Sequence, residues 1–239
     1  AAFDESGDLY VVPVVVSPEG TDAYVAGARL RQGGGGWSVV QLYAPQTQAN
    51  DNIVLDNLRE IETDCRGRVL VLNVARQNRS DAVLVFDRDT GLEAGREDVA
   101  GLGMESPGAM RLVGGGGVLV LGGASSGKAC VVAVSVGDLG QSGPHGRLFE
   151  VVGMDQVTGL AEDPGTGAVW VTGIVLEDVP AAFDSTTMLD VLNRPPFYSG
   201  CVASLMVDQQ TPVEARPVVS GGERTLSLPL AVEWFDPLR

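Results

Sequence analysis

The chain is 239 residues long and carries 31 acidic against 16 basic side chains, a formal net charge of −15. Such a surplus repels a phosphate backbone, which excludes sequence-independent nucleic-acid binding, and no apolar run approaches the roughly 20 residues that a membrane-spanning helix requires. Hydrophobic residues make up 44% of the chain, enough for a large core, and the single histidine, His145, excludes multi-histidine zinc sites by count.

In chain order, a glycine followed by an apolar, β-branched run recurs at Gly7, Gly67, Gly117 and Gly167, with spacings of 60, 50 and 50 residues. Asp4, Asp64 and Asp163 stand just upstream of three of these glycines. Asp bonds turn backbone and Gly tolerates positive φ, so each site predicts a tight hairpin. A first unit over 1–45 adds strands at 23–28 and 37–42. A second, over 57–105, places strands at 58–63 and 82–86 around the turn at Asp64. The third, over 107–155, has strands at 109–113, 130–134 and 148–152. In the fourth, over 157–220, strands fall at 157–162, 201–206 and, less clearly, 213–218. A final run, 228–236, reads as a strand closing a small ring or severed from a larger one. Repeating groups of four antiparallel strands predict an all-β fold, a β-propeller of four-stranded blades with four to five blades in this chain. Helical periodicity is weak throughout, and 179–198 reads as a long loop inserted between the second and third strands of the fourth unit.

The segments 58–67 and 157–167, each running into an apolar strand, resemble repeats of NHL and SMP-30-like propellers, and 81–91 is similar to their third strand and following turn. The resemblance implies the fold and supplies no catalytic residues.

Several motifs fail on context. Residues 122–129 nearly match a phosphate-binding loop, but Ala129 lacks the hydroxyl that Mg²⁺ needs and the loop leads into a strand. Ser125 sits in a G-x-S-x-G pattern without the strand–turn–helix that a nucleophile elbow requires. Asp87, Asp89 and Gly91 form an oxygen-rich stretch without EF-hand spacing, which predicts a hairpin turn. Cys130 and Cys201 each open a third strand in different units, too far apart for a disulfide.

The denser cluster of Asp51, Asn52, Asp56 and Asn57 offers the hard oxygen donors that Ca²⁺ takes, and the same side chains suit Asx turns. Arg59 and Glu60 open an innermost strand and are expected to line the central channel. In the inserted loop, Pro195, Pro196, Phe197 and Tyr198 supply stiffness and an apolar tip for a partner. The leading expectation is a non-enzymatic, exported interaction module that binds a protein or glycan partner on one loop face. The alternative is an SMP-30-like metal-dependent lactonase or esterase with the ion at the channel mouth. The first residues lack a methionine and a signal-peptide pattern, so a processed chain or a section of a longer one is expected.

Overall fold

The computed structural model describes residues 1–12, 14–16, 23–25, 27–43, 57–74, 80–141, 145–177, 197–207 and 213–217. Among them the architecture is all-β, with one 3₁₀ turn at Ala100–Leu102. No described helix is long and apolar enough to cross a membrane.

Four antiparallel sheets follow one another along the chain. The first contains β1 (Ala2–Phe3), β2 (Leu9–Val11), β5 (Gly27–Gly33) and β6 (Gly36–Tyr43), with β3 (Val14–Val16) and β4 (Ala23–Val25) forming a separate hairpin between β2 and β5. The second runs β7 (Asn57–Thr63), β8 (Arg68–Val74), β9 (Ala82–Asp87), β10 (Glu93–Asp98). In the third, β11 (Ser106–Val113), β12 (Val118–Ser125), β13 (Lys128–Ser135) and β14 (Gly146–Val152) pair in sequence. The fourth joins β15 (Gln156–Glu162), β16 (Val169–Glu177), β17 (Phe197–Leu205) and β19 (Arg216–Pro217). Between β17 and β19 the chain lends β18 (Val213–Glu214) to the outer edge of the third sheet, parallel to β14.

Burial explains why β8, β12 and β13 are continuous apolar runs. Strands covered on both faces have no polar side to alternate. In β8, Val69 and Val71 join Tyr10, Tyr43, Leu84 and Phe86 in a core between the first and second sheets. Their neighbours Leu70 and Leu72 face the other way, onto Leu119, Leu121 and Val132 of the third sheet. The pattern repeats one sheet later, where Val120 and Val131 meet Val157, Val169 and Val171 of the fourth.

The first strands of the second, third and fourth sheets share a further device. The ladder skips a residue at Arg59 in β7, Gly108 in β11 and Thr158 in β15. These bulges fall at matching places in three sheets and bend each strand alike. At Gly108 the backbones come so close that a Cβ would strike the Val157 carbonyl of the next sheet.

Two expected strand positions need correction, and one strand is added. Residues 23–28 do not form one strand: Ala23–Val25 pairs with β3, and the third strand of the first sheet begins at Gly27. A Cβ on Gly27 would sit 2.9 Å from Ile61 Cδ1, so the strand begins where the second sheet presses against its backbone. The second sheet gains β10 as a fourth strand, hidden in the sequence because Glu93, Arg96, Glu97 and Asp98 hold four of its six positions. The expected strand at 213–218 divides between two sheets. The expected closing strand at 228–236 lies outside the described residues.

Candidate binding site at the cavity mouth

The turns joining the first and second strands converge on one end of the sheets. They surround a cavity of about 520 Å³ to which all four sheets contribute. Phe3, Asp4, Glu5 and Ser6 come from the first sheet, and Glu62, Asp64 and Cys65 from the second. Arg88 enters from the β9–β10 turn, Arg111 and Gly116 from the third sheet, and Glu162 from the end of β15. Acids therefore outnumber cations on this surface.

Asp4 and Asp64 build their turns identically. Asp4 Oδ1 accepts from Ser6 N at 2.9 Å and Asp8 N at 3.0 Å, while Asp64 Oδ1 accepts from Arg66 N at 2.9 Å and Arg68 N at 2.8 Å. The second carboxylate oxygens are also engaged. Tyr10 OH donates to Asp4 at 3.0 Å, and Arg68 Nε donates to Asp64 at 2.7 Å. Arg68 then reaches the Val136 carbonyl at 3.0 Å, tying the second sheet to the third. Asp163 repeats the first half of the motif, accepting from Gly165 N at 2.9 Å and Thr166 Oγ1 at 2.7 Å. The hairpin role expected of these aspartates is thus what the structure shows.

Other carboxylates staple sheet to sheet. Glu162 Oε1 accepts from Gly114 N at 2.9 Å, and Glu60 accepts from Met110 N. Glu62, on β7, pairs with Arg111 Nη1 of β11 at 3.2 Å. Burial pushes the Glu62 carboxyl up to about 7, against the opposing pull of Arg111. Burial also raises Glu60, opposed by its bond from Met110. Behind the first turn, Asp8 receives Arg29 Nε at 2.7 Å and Arg31 Nε at 2.9 Å. The Arg31 bond chiefly holds the Asp8 carboxyl down to about 2, with Arg29 adding to it against burial.

Of the sequence candidates, Glu60 contributes an intersheet bond near the core and Arg59 occupies the β7 bulge, exposed. Asp51, Asn52 and Asp56 lie outside the described residues; Asn57 opens β7, opposite Val74 and at the end of the strand away from the mouth. Pro195 and Pro196 also lie outside the description. Phe197 and Tyr198 belong to β17, paired with Glu177 and Leu176, so the inserted segment leaves from the end of β16 opposite the 163–168 turn. The Glu177–Phe197 pair and the cavity mouth are therefore at opposite ends of the fourth sheet. Among the described residues, no group of three His, Cys, Asp or Glu side chains is placed to hold a metal ion.

The failed motifs fall where their context placed them. Ser126 and Gly127, at φ 50° and 74°, make a two-residue hairpin between β12 and β13. Asp87 Oδ1 accepts from Thr90 N at 2.8 Å and Thr90 Oγ1 at 2.7 Å, closing the β9–β10 turn. Cys65 is exposed at the rim, and Cys130 and Cys201 are buried and free, their thiols pushed up to about 11 by burial. His145 is not the surface turn residue its Gly-Pro context suggests. Its Nε2 stands 3.2 Å from Glu97 of the second sheet, and Glu97 also receives Gly140 N at 2.7 Å.

Reading the sequence for turns missed Glu62 and Arg111. Neither stands in a motif, and only the packing of β7 against β11 brings them together. A charged residue alternating with apolar ones in an otherwise buried strand is the available signal. No family model matches the chain, and no curated protein matches it.

Proposed function

We propose that the chain is a propeller-type interaction module, without catalytic chemistry of its own, that binds a protein or glycan partner at the cavity mouth. The stacked four-stranded sheets and the matching bulges support a ring of blades. One observation carries the binding role: four sheets converge on a polar cavity whose carboxylates Asp4, Asp64, Glu62 and Glu162 are already held by donors of the chain itself. Asp4 and Glu162, half-buried and fixed in this way, face the cavity with the buried Glu62 and Asp64 behind them, and need no reorganisation on binding. A partner bearing hydroxyl or basic donors matches that surface.

The test is a binding panel of neutral oligosaccharides and lysine-containing peptides, read by calorimetry. Glu5, exposed on the rim, is the variant of choice. Glu5→Lys is expected to weaken the bound member at least about tenfold, as reversal of a rim charge facing a complementary partner does. Unchanged affinity in Glu5→Lys places the partner elsewhere. An esterase or lactonase activity that requires a divalent ion would replace this reading with the hydrolase alternative.

A further inference from the structure

The cavity mouth holds one deep carboxylate that the chain itself leaves half used. Asp4 and Asp64 accept on both oxygens from their own turns and strands. Glu62 does not. It is 9% exposed, lines the cavity, and among the described residues accepts one bond, from Arg111 Nη1 to Oε1. Oε2 stands at the cavity without a donor.

Ionising a carboxyl at such depth is unfavourable unless positive charge gathers round it. The charged groups facing Glu62 are Arg111 from β11, Glu60 on its own strand and the Ala1 ammonium ahead of β1. The two cations do not offset the burial, and the carboxyl is pushed up to about 7. At neutral pH about half the molecules therefore hold a proton there. The other charged lining residues are Asp4, Glu5, Asp64 and Glu162 against Arg88, so the cavity as a whole favours a cation.

We propose that the mouth takes a lysine side chain of a partner protein, its ammonium donating to Glu62 Oε2 in place of a proton. That assignment rests on the mouth being the binding site, and narrows its partner to one class of group. Three features select lysine. An ammonium brings three donors and a full charge, whereas a sugar hydroxyl brings a dipole that cannot hold Glu62 ionised. A bare divalent ion needs several carboxylates converging, and no group of three among the described residues does so. The apolar stem of lysine finds Phe3, 66% exposed, and Leu112 in the same lining. The exchange balances: the carboxyl O–H bond breaks, its proton passes to buffer, and the ammonium keeps all three of its own. Ionised Glu62 binds and protonated Glu62 does not, so affinity rises with pH through about 7.

Calorimetry with the blocked peptide acetyl-Gly-Lys-Gly-amide and its Nε-acetylated form tests this at pH 6, 7 and 8. The lysine peptide is expected to bind about tenfold tighter at pH 8 than at pH 6. Its apparent enthalpy at pH 7 should differ between phosphate and Tris, because a proton is released. The acetylated peptide should bind at least about tenfold more weakly at pH 8. Glu62→Gln keeps an acceptor and every other titrating group, and removes the pH slope. Glu150→Gln, exposed and outside the cavity lining, retains it. Glu5→Lys separates this proposal from the reading beneath it. A peptide weakened by Glu5→Lys but indifferent to pH leaves the mouth as the site and overturns the lysine assignment. A peptide that Glu5→Lys does not affect overturns both. No binding of the lysine peptide, a slope that survives Glu62→Gln, or equal binding of the acetylated form overturns the assignment as well.

Discussion

Met104 and Met154, fifty residues apart, make the same contact: each lays its sulfur over a glycine in the second strand of its own sheet, Gly123 and Gly173. The correspondence extends through the surrounding backbone. A Cβ on Gly123 would strike the Ser106 carbonyl, and one on Gly173 the Gln156 carbonyl. Glu105 N donates to Ala124 O at 3.1 Å, and Asp155 N to Ile174 O at 2.9 Å. Across the next strand, Gly123 faces Cys130 and Gly173 faces Cys201.

These glycines leave no room for a methyl group against backbone that cannot yield. Gly123→Ala and Gly173→Ala are each expected to destabilise the fold by about 1–3 kcal/mol, the range for overpacking a tight core. Gly95, which has nothing within 4 Å of a built Cβ, is the contrast. Gly95→Ala is expected to be neutral or to stabilise by up to about 1 kcal/mol. Urea midpoints measured side by side check the set.

Glu62 makes stability depend on pH in an unusual direction. Its folded-state pKa, raised by burial from 4.5 to about 7, means the native chain holds a proton that the unfolded chain has released. The contribution is complete below pH 4.5 and is lost as pH rises through about 7. The size is on the order of 3 kcal/mol. Glu62→Gln keeps an acceptor for Arg111 without a titrating group. It should match wild type at pH 5 and exceed it at pH 8 in urea denaturation.

Asp8 behaves oppositely. With two arginines on its carboxylate, its pKa falls from 3.8 to about 2, so its stabilisation is present above pH 3.8 and disappears as pH drops toward 2. Asp8→Asn takes from the largely buried Arg29 its closer charge partner and leaves it only the exposed Asp89, at 3.3 Å. A loss of about 3 kcal/mol at pH 7 is expected from breaking such a pair, with a much smaller difference between variant and wild type at pH 2.

Asp64 closes its turn through two backbone bonds and holds Arg68 against the third sheet. Asp64→Ala should therefore cost about 2 kcal/mol, more than an isolated turn cap, because a partly buried arginine link is lost with it. Asp163→Ala, in an exposed turn whose bonds stay local, is expected to cost about 1 kcal/mol. Thermal melts distinguish the two.

The sequence carried the repeat unusually well, for a physical reason. Strands buried on both faces must be apolar throughout, and the hairpins between them need Asp and Gly, so Gly67, Gly117 and Gly167 mark the sheets directly. The edge strand β10 was invisible because its outward positions are charged and only Glu97 is fully covered. The Met104–Gly123 and Met154–Gly173 contacts leave a faint trace, a Gly-Met pair at 103–104 and again at 153–154, which the turn pattern overshadowed. At the mouth, Asp4 and Asp64 were legible as turn formers, whereas Glu62 and Arg111 depend on which strands become neighbours. Charge pairing across sheets is a property of register, and no local pattern encodes it.

The most direct test of the binding role is chemical-shift mapping on the labelled chain, titrated with the partner found in the oligosaccharide and peptide panel. Shifts concentrated at Glu5, Cys65, Gly115 and Gly116, and absent from β16–β17 at the opposite end, are the expected result. Shifts that cluster around Glu177 and Phe197 while the mouth stays silent would contradict it.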